Sequence, residues 1–312
     1  MPKPTRIYGP SGSTVTQAIS FALQDEITSR ISVALNIDLV AAEAARPTQH
    51  PDALDYILRG RAARLKSPSR ESGAQAIDLF ERALALDPQS LAAQSYLAIA
   101  LSANVMDDIS DTAAADLARA EMLAGQALAV SPRSPLAHYA KAQMLRTQGR
   151  YDDAILEYET VLALNRNWVS AYAHVGQCKL FTGSIGEAIP LLEQAIRLSP
   201  RDPDIVLFYS RLGLVQLLQS RIDEAIVWCE KARNATPAAA IFRSFLASAY
   251  ALKGDIGRAA VELAESRRLV GDNRYSSIAC LRAVDSWGVP KISSLYEVTY
   301  FAGLHKAGVP EE

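Results

Sequence analysis

From about residue 54 to residue 271, apolar residues recur at three- and four-residue steps with polar residues between them. The apolar runs close on proline, glycine or another turn residue, which predicts a series of amphipathic helices. One phrase returns along the series: an alanine, three residues, a bulky apolar residue, two residues, a small residue, then a turn. It occupies Ala76–Pro88, Ala120–Pro132, Ala154–Arg166, Ala188–Pro200, Ala225–Pro237 and Ala259–Gly271. Successive lead alanines are 44, 34, 34, 37 and 34 residues apart. A fixed period of this length marks a chain of stacked structural units.

The residue types explain why the units stack. A pair of antiparallel helices cannot bury its apolar side alone and must lean on the next pair. Small residues such as Gly176, Ala188 and Ala195 suit the crossing of the two helices. Large ones such as Phe80, Tyr158, Tyr172 and Leu192 suit the space between neighbouring pairs. Pro88, Pro132, Pro200 and Pro237 follow the second helices, where a residue without an N–H ends the ladder. Ser184 with Glu187, and Ser220 with Asp223, have the spacing of N-terminal caps. Pro190 falls inside one second helix and predicts a slight kink or a shifted start.

These positions resemble the tetratricopeptide repeat family. The fourth copy carries Tyr172, Val175, Gly176, Gly183, Ile185, Ala188, Leu192, Ala195 and Pro200. The third carries Gly149, Tyr151, Ala154 and Tyr158, with Arg166 in place of the usual proline. The sixth carries Leu246, Ala247, Tyr250, Gly254, Ile256, Ala259 and Leu263. The resemblance implies an all-α, right-handed superhelix of about six helix pairs over residues 54–273. A helical cap over 274–312 would hide the last apolar face. Within the cap, 272–287 reads as one helix and the stretch from Leu295 as another.

The two ends resemble a larger architecture. Residues 17–53 contain LQDEITSRI (Leu23–Ile31), similar to the junction between a TolB-like domain and tetratricopeptide repeats in bacterial class III adenylate cyclases and winged-helix regulators. The closing GLHKAGVPEE is similar to the final phrase of those cyclases, with His305 for the customary arginine. No segment offers the strand pattern and paired aspartates that cyclase catalysis requires, so no catalytic residue is assigned. The expectation is a non-catalytic scaffold in bacterial signalling. The alternatives are the regulatory part of a split or truncated cyclase and an inert gene remnant. Residues 1–16 contain GPSGST, which echoes a phosphate-binding loop. Counting from Gly9, Thr14 and Val15 stand where that loop needs Gly and Lys, so 1–16 reads as a flexible lead-in.

Composition adds exclusions. A net charge of −2 gives no basis for non-specific nucleic-acid binding. No apolar run is long enough to span a bilayer and no secretory leader is visible, so a cytoplasmic location is expected. Cys178, Cys229 and Cys280 are far apart in sequence and read as free thiols. His174 and Cys178 have an i, i+4 spacing that could place two metal ligands on one helix face. With no second pair beside them, a packing role is expected and neither metal nor cofactor is assigned. The acidic run Met106–Asp111 reads as a solvated loop.

The partner surface follows from register. In the resembled family, first-helix side chains line the inner groove. Here those are Tyr139, Gln143 and Arg146, then His174, Gln177 and Phe181, then Phe208 and Arg211, then Phe245. Aromatic residues interspersed with Arg and Gln suit a peptide or a partner helix. The Lys/Asn set of the family's carboxylate clamp is not present. Filling of the groove by the chain's own termini, and association of copies, both remain open at this level.

Overall fold

The computed structural model describes residues 30–31, 38–43, 45, 51–66, 69–270, 273–284 and 289–312. The lead-in over 1–16, and with it Gly9–Thr16, lies outside the described residues, as does most of 17–53. Six helix pairs follow one another: α1 (Ala53–Arg64) with α2 (Arg70–Leu86), α3 (Leu91–Met106) with α4 (Ala113–Val130), and α5 (Pro135–Thr147) with α6 (Tyr151–Leu164). Then come α7 (Val169–Phe181) with α8 (Ile185–Leu198), α9 (Ile205–Leu218) with α10 (Ile222–Ala235), and α11 (Ala240–Lys253) with α12 (Ile256–Val270). Among the described residues all regular structure is helical.

Helices α2, α4, α8 and α10 each stop two residues before Pro88, Pro132, Pro200 and Pro237. Lead alanines Ala76, Ala120, Ala154, Ala188, Ala225 and Ala259 are fully buried, as are Phe80, Tyr158 and Leu192. Tyr172 is only partly covered. A Cβ added at Gly176 would lie 3.1 Å from Leu192 Cγ and 3.3 Å from the Ala188 carbonyl oxygen. That close approach is why a side-chain-free residue stands where α7 crosses α8.

The turns inside the pairs correct two expected caps. Ser184 precedes α8 and makes no side-chain capping bond. Ser220 is not a cap at all: the residue preceding α10 is Arg221, and Ser220 takes a left-handed φ of 58°. Gly149, Gly183 and Gly254 hold the same turn position with φ of 75°, 91° and 91°. The turn geometry decides the residue there, so a serine's hydroxyl is not free to cap. Side-chain caps appear elsewhere: the Ser69 hydroxyl accepts from Ser72 N at 3.0 Å before α2, and the Ser90 and Ser134 hydroxyls accept from Ala93 N at 3.4 Å and Ala137 N at 3.3 Å before α3 and α5. Pro190 sits within α8, whose start remains at Ile185, and it is exposed.

The expected cap helices shift. The first begins at Ile278 as α13 (Ile278–Val284), after the Asn273–Ser276 turn. The second begins earlier than Leu295, as α14 (Pro290–Tyr296), and continues through a π-helical turn (Glu297–Phe301) into α15 (Ala302–Lys306). This last run does more than close the end of the stack. It lies on α11 and reaches α9, the first helices of pairs five and six. Tyr300 OH meets Ser244 Oγ at 2.9 Å, Ser248 Oγ donates to the Tyr300 carbonyl at 2.9 Å, and the Phe245 and Tyr300 rings pack edge to face. The chain end is tied back in turn. Ile278 N and Ala279 N donate to the carbonyls of Pro310 and Glu311 at 2.9 and 3.0 Å. Arg282 pairs with Glu297 at 2.7 Å and with Glu311 at 2.5 Å.

Candidate functional site

The inner face is built by α3, α5, α7, α9 and α11, and its floor is polar at the centre. Arg146 of α5 donates through Nε to Gln143 Oε1 at 3.1 Å and through Nη1 to Gln177 Oε1 at 2.9 Å. Arg211 of α9 donates through Nη2 to the same Gln177 oxygen, also at 2.9 Å. Gln143 Oε1 also accepts from Tyr158 OH at 2.5 Å, and Gln143 Nε2 donates to Tyr139 OH at 3.3 Å. Gln143 and Gln177 are one 34-residue period apart, so these two successive repeats place an amide at the same position.

Two guanidinium groups therefore converge on one neutral carbonyl oxygen. Charges about 5 Å apart repel by roughly 3 kcal/mol at an effective dielectric near 20. Asp107 and Asp204 are near enough to be felt, but neither hydrogen-bonds to either arginine. Arg211 Nη1 is buried without a partner. Burial first, and the Arg146 charge second, pull the Arg211 guanidinium down to about 10.

His174 stands beside the pair, its ring 5.5 Å from Tyr158 and 6.0 Å from Tyr139, with Nδ1 unpartnered. Burial, then Arg146 and Arg211, hold it well below its ordinary 6.5. The sign follows. In the unfolded chain His174 takes a proton as pH falls through 6.5, while in the folded protein it stays neutral. Its contribution is fully present above 6.5 and is lost below it, by about 1.4 kcal/mol per pH unit until the folded pKa is reached. Urea midpoints should fall between pH 7.5 and 5.5, and His174→Gln should flatten that part of the profile. Glu157 acts in a separate, lower window. Burial opposes its ionisation, but bonds from Lys141 and His138 outweigh this and hold its carboxyl below 4.5.

The expected groove residues divide into three sets. Tyr139, Gln143, Arg146, His174, Gln177 and Arg211 form the connected centre just described. Phe181 is drawn elsewhere: it stacks on Tyr151 at 5.1 Å, at the turn end of α7. Phe208 and Phe245 are buried, at 2% and 5% exposure, in one core cluster with Tyr296, Tyr300, Phe301 and Leu304. Reading those two phenylalanines as open groove lining needs correction: Phe245 packs against Tyr300 of the C-terminal run, and Phe208 is buried in the same core cluster. No periodic signal announces a cover that arrives from some fifty residues away. Cys178 is buried in the wall, and burial pushes its thiol up to about 11. Among the described residues, no group of three or more His, Cys, Asp or Glu side chains is arranged to hold a metal ion.

A second feature was missed by register alone. A hollow of about 190 Å³ adjoins the polar centre, lined by Val40, Arg61, Arg64, Leu65, Phe80, Tyr96, Ile99, Tyr139 and Trp168; Val40 is buried and Arg61 lies over the Tyr96 ring at 5.2 Å. Phe80 stacks on Tyr96 at 5.7 Å, and Tyr139 packs on Trp168 at 5.0 Å. Tyr96 was legible: once the ten extra residues before Ala120 are set aside, it shares the register of His174 and Arg211. Trp168 caps the turn before α7 and has no such signal.

A tetratricopeptide-repeat family model matches residues 112–167 and 179–240. The array is a tetratricopeptide-repeat solenoid. The repeat chain is similar to "Putative adenylate cyclase 3" of Rhizobium meliloti (strain 1021), 31% identical over 138 residues. That match covers 43% of this chain and 23% of the relative, so it spans less than a quarter of the cyclase-named protein. Among solved structures, Pseudomonas aeruginosa PilF superposes with a TM-score of 0.53 at 18% identity, covering 75% of this chain and 97% of PilF. Human IFIT1, solved as a dimer with m7Gppp-AAAA, superposes at 0.57 with 18% identity over 76% of this chain and 55% of IFIT1. These superpositions speak for the repeat fold alone. No described helix is long and apolar enough to cross a membrane.

Proposed function

We propose that this tetratricopeptide-repeat chain is a non-catalytic scaffold that receives a peptide or partner helix on its inner face. The seat is the stretch from the aromatic hollow to the Arg146–Gln177–Arg211 centre. The observation that carries the reading is the hollow itself. Side chains from α1, α2, α3 and α5, with Trp168 beside them, converge on one cleft that a single repeat could not build. Pairs five and six have their inner face filled by the chain's own C-terminal run, so the partner's share is the N-terminal and central part.

The similarity to a cyclase-named relative supports a place in bacterial signalling, as the regulatory segment of a cyclase-like system whose catalysis resides on another segment or chain. Capture from native lysate by wild type, Tyr96→Ala and Trp168→Ala tests the seat. Aromatic anchors at the centre of an interface carry about 2 kcal/mol or more, so each variant should lose its partner at least tenfold. An unchanged set of captured proteins would remove the hollow from the interface. Conversion of ATP to cyclic AMP by this chain alone would overturn the non-catalytic reading.

A further inference from the structure

No described carboxylate bonds to either central arginine; Asp107 and Asp204 act on them only through space. Arg146 and Arg211 both donate to Gln177 Oε1 at 2.9 Å, and an amide oxygen carries no formal charge to set against two guanidinium groups. Arg146 is 7% exposed, and Arg211 keeps Nη1 buried and unpartnered. A buried guanidinium donor left without an acceptor is costly unless a ligand completes it. Elsewhere in this chain even more exposed arginines have a carboxylate: Arg233 and Arg243, 24% and 16% exposed, share Glu262 at 2.5 and 2.8 Å. The centre thus departs from the chain's own practice. Arg61 and Arg64 line the adjoining hollow and place two more cations on the same face, Arg61 lying over the Tyr96 ring at 5.2 Å.

We propose that Arg146 and Arg211 form a seat for the side-chain carboxylate of an acidic peptide, an internal Glu or Asp received between the two guanidinium groups, with a neighbouring apolar side chain entering the Phe80–Tyr96–Tyr139–Trp168 hollow. This deepens, and rests on, the reading of the inner face as the partner seat. Gln177 holds the two guanidinium planes towards one point, and Gln143, itself bonded to Tyr139 and Tyr158, steadies Arg146. Guanidinium forks favour carboxylates over an ammonium's point contact, and a desolvated site strengthens the bond. An oriented internal side-chain carboxylate beside one apolar anchor distinguishes this ligand from a bare chain terminus.

The test uses the full chain and three fluorescent decapeptides with amidated or free ends: one with a Glu pair flanked by Leu, the same with Gln for Glu, and the Gln peptide with a free C-terminal carboxylate. Anisotropy should show the Glu peptide binding at least about tenfold tighter than its amidated Gln counterpart, with affinity falling as KCl is raised. Arg211→Gln should abolish that preference without lowering the urea midpoint of the unliganded protein, because it also removes a like-charge contact. Arg211→Lys should retain part of the preference. A site with a merely structural role would instead lose stability in Arg211→Gln and leave the peptide preference unchanged. Equal binding of the Glu and Gln peptides, no binding of either, or capture of only the free-terminus peptide would each overturn the proposal. In those cases the scaffold reading stands or falls separately, on the Tyr96→Ala and Trp168→Ala capture.

Discussion

Gly303→Ala will unseat the C-terminal run from the inner face and destabilise the protein by about 3 kcal/mol, the upper part of the range for overpacking. A Cβ at Gly303 would lie 2.1 Å from Ser248 Oγ, 2.6 Å from the Ser248 carbonyl oxygen and 2.9 Å from its carbonyl carbon. The hydroxyl could rotate away; the backbone of α11 cannot. Relief must come from shifting α15, and that movement breaks the Ser248–Tyr300 and Ser244–Tyr300 bonds together. It also exposes Phe245, which Tyr300 covers. Urea unfolding and protease sensitivity near Tyr296 report the change. Gly125→Ala is the control. Gly125 sits inside α4 with open space around its Cβ position, so alanine there should stabilise by up to about 1 kcal/mol through helix propensity. A Gly303→Ala protein as stable as wild type would mean that α15 is not seated on Ser248.

The second large effect is expected at Glu262. Its side chain is 7% exposed and accepts from Arg233 of α10 and Arg243 of α11, while its own backbone belongs to α12. One carboxylate therefore ties three consecutive helices across the junction of pairs five and six. Glu262→Ala leaves two guanidinium groups, 24% and 16% exposed, facing each other without their anion. The expected loss is about 3–5 kcal/mol, the cost of removing one partner from a buried charge cluster. Glu262→Gln keeps acceptor geometry for one arginine and should lose less. For contrast, Asp223→Ala breaks a pair with Lys253 in which both side chains are about half exposed or more, and should change stability by less than about 1 kcal/mol. Chemical denaturation of the three variants orders them. Equal midpoints for Glu262→Ala and Asp223→Ala would contradict the assigned burial.

Individual residues show where sequence reasoning succeeds. The recurrence of Ala76, Ala154 and Ala188 was enough to place helix crossings, because only small residues tolerate that approach and the requirement repeats with every pair. The prolines after α2, α4, α8 and α10 cannot continue a helix, and α6 stops at the same register before Arg166, so the repeat's turn and the proline agree on the stop. Capping was less legible. Ser220 has the spacing of a cap, yet the turn it occupies needs a left-handed residue, and that backbone demand prevails over the side chain's hydrogen-bonding option. Phe181 has the register of the inner face, yet Tyr151 from the following turn of the previous pair captures its ring.

The candidate site was half visible for the same reason. Gln143, Gln177, His174 and Arg211 fall on repeat positions, so register brought them to one face. That Arg146 and Arg211 meet on a single oxygen depends on how far α7 separates α5 from α9, which no spacing encodes. The sequence by itself determined the helix pairs, their order and the face each first helix presents, because these depend on local propensity and on contacts between adjacent units. Which part of that face the C-terminal run covers was settled only by tertiary packing. That choice rests on Tyr300 meeting Ser244 and on Gly303 lying against Ser248, contacts between segments some fifty residues apart whose complementarity of shape and hydrogen bonding leaves no period in the chain.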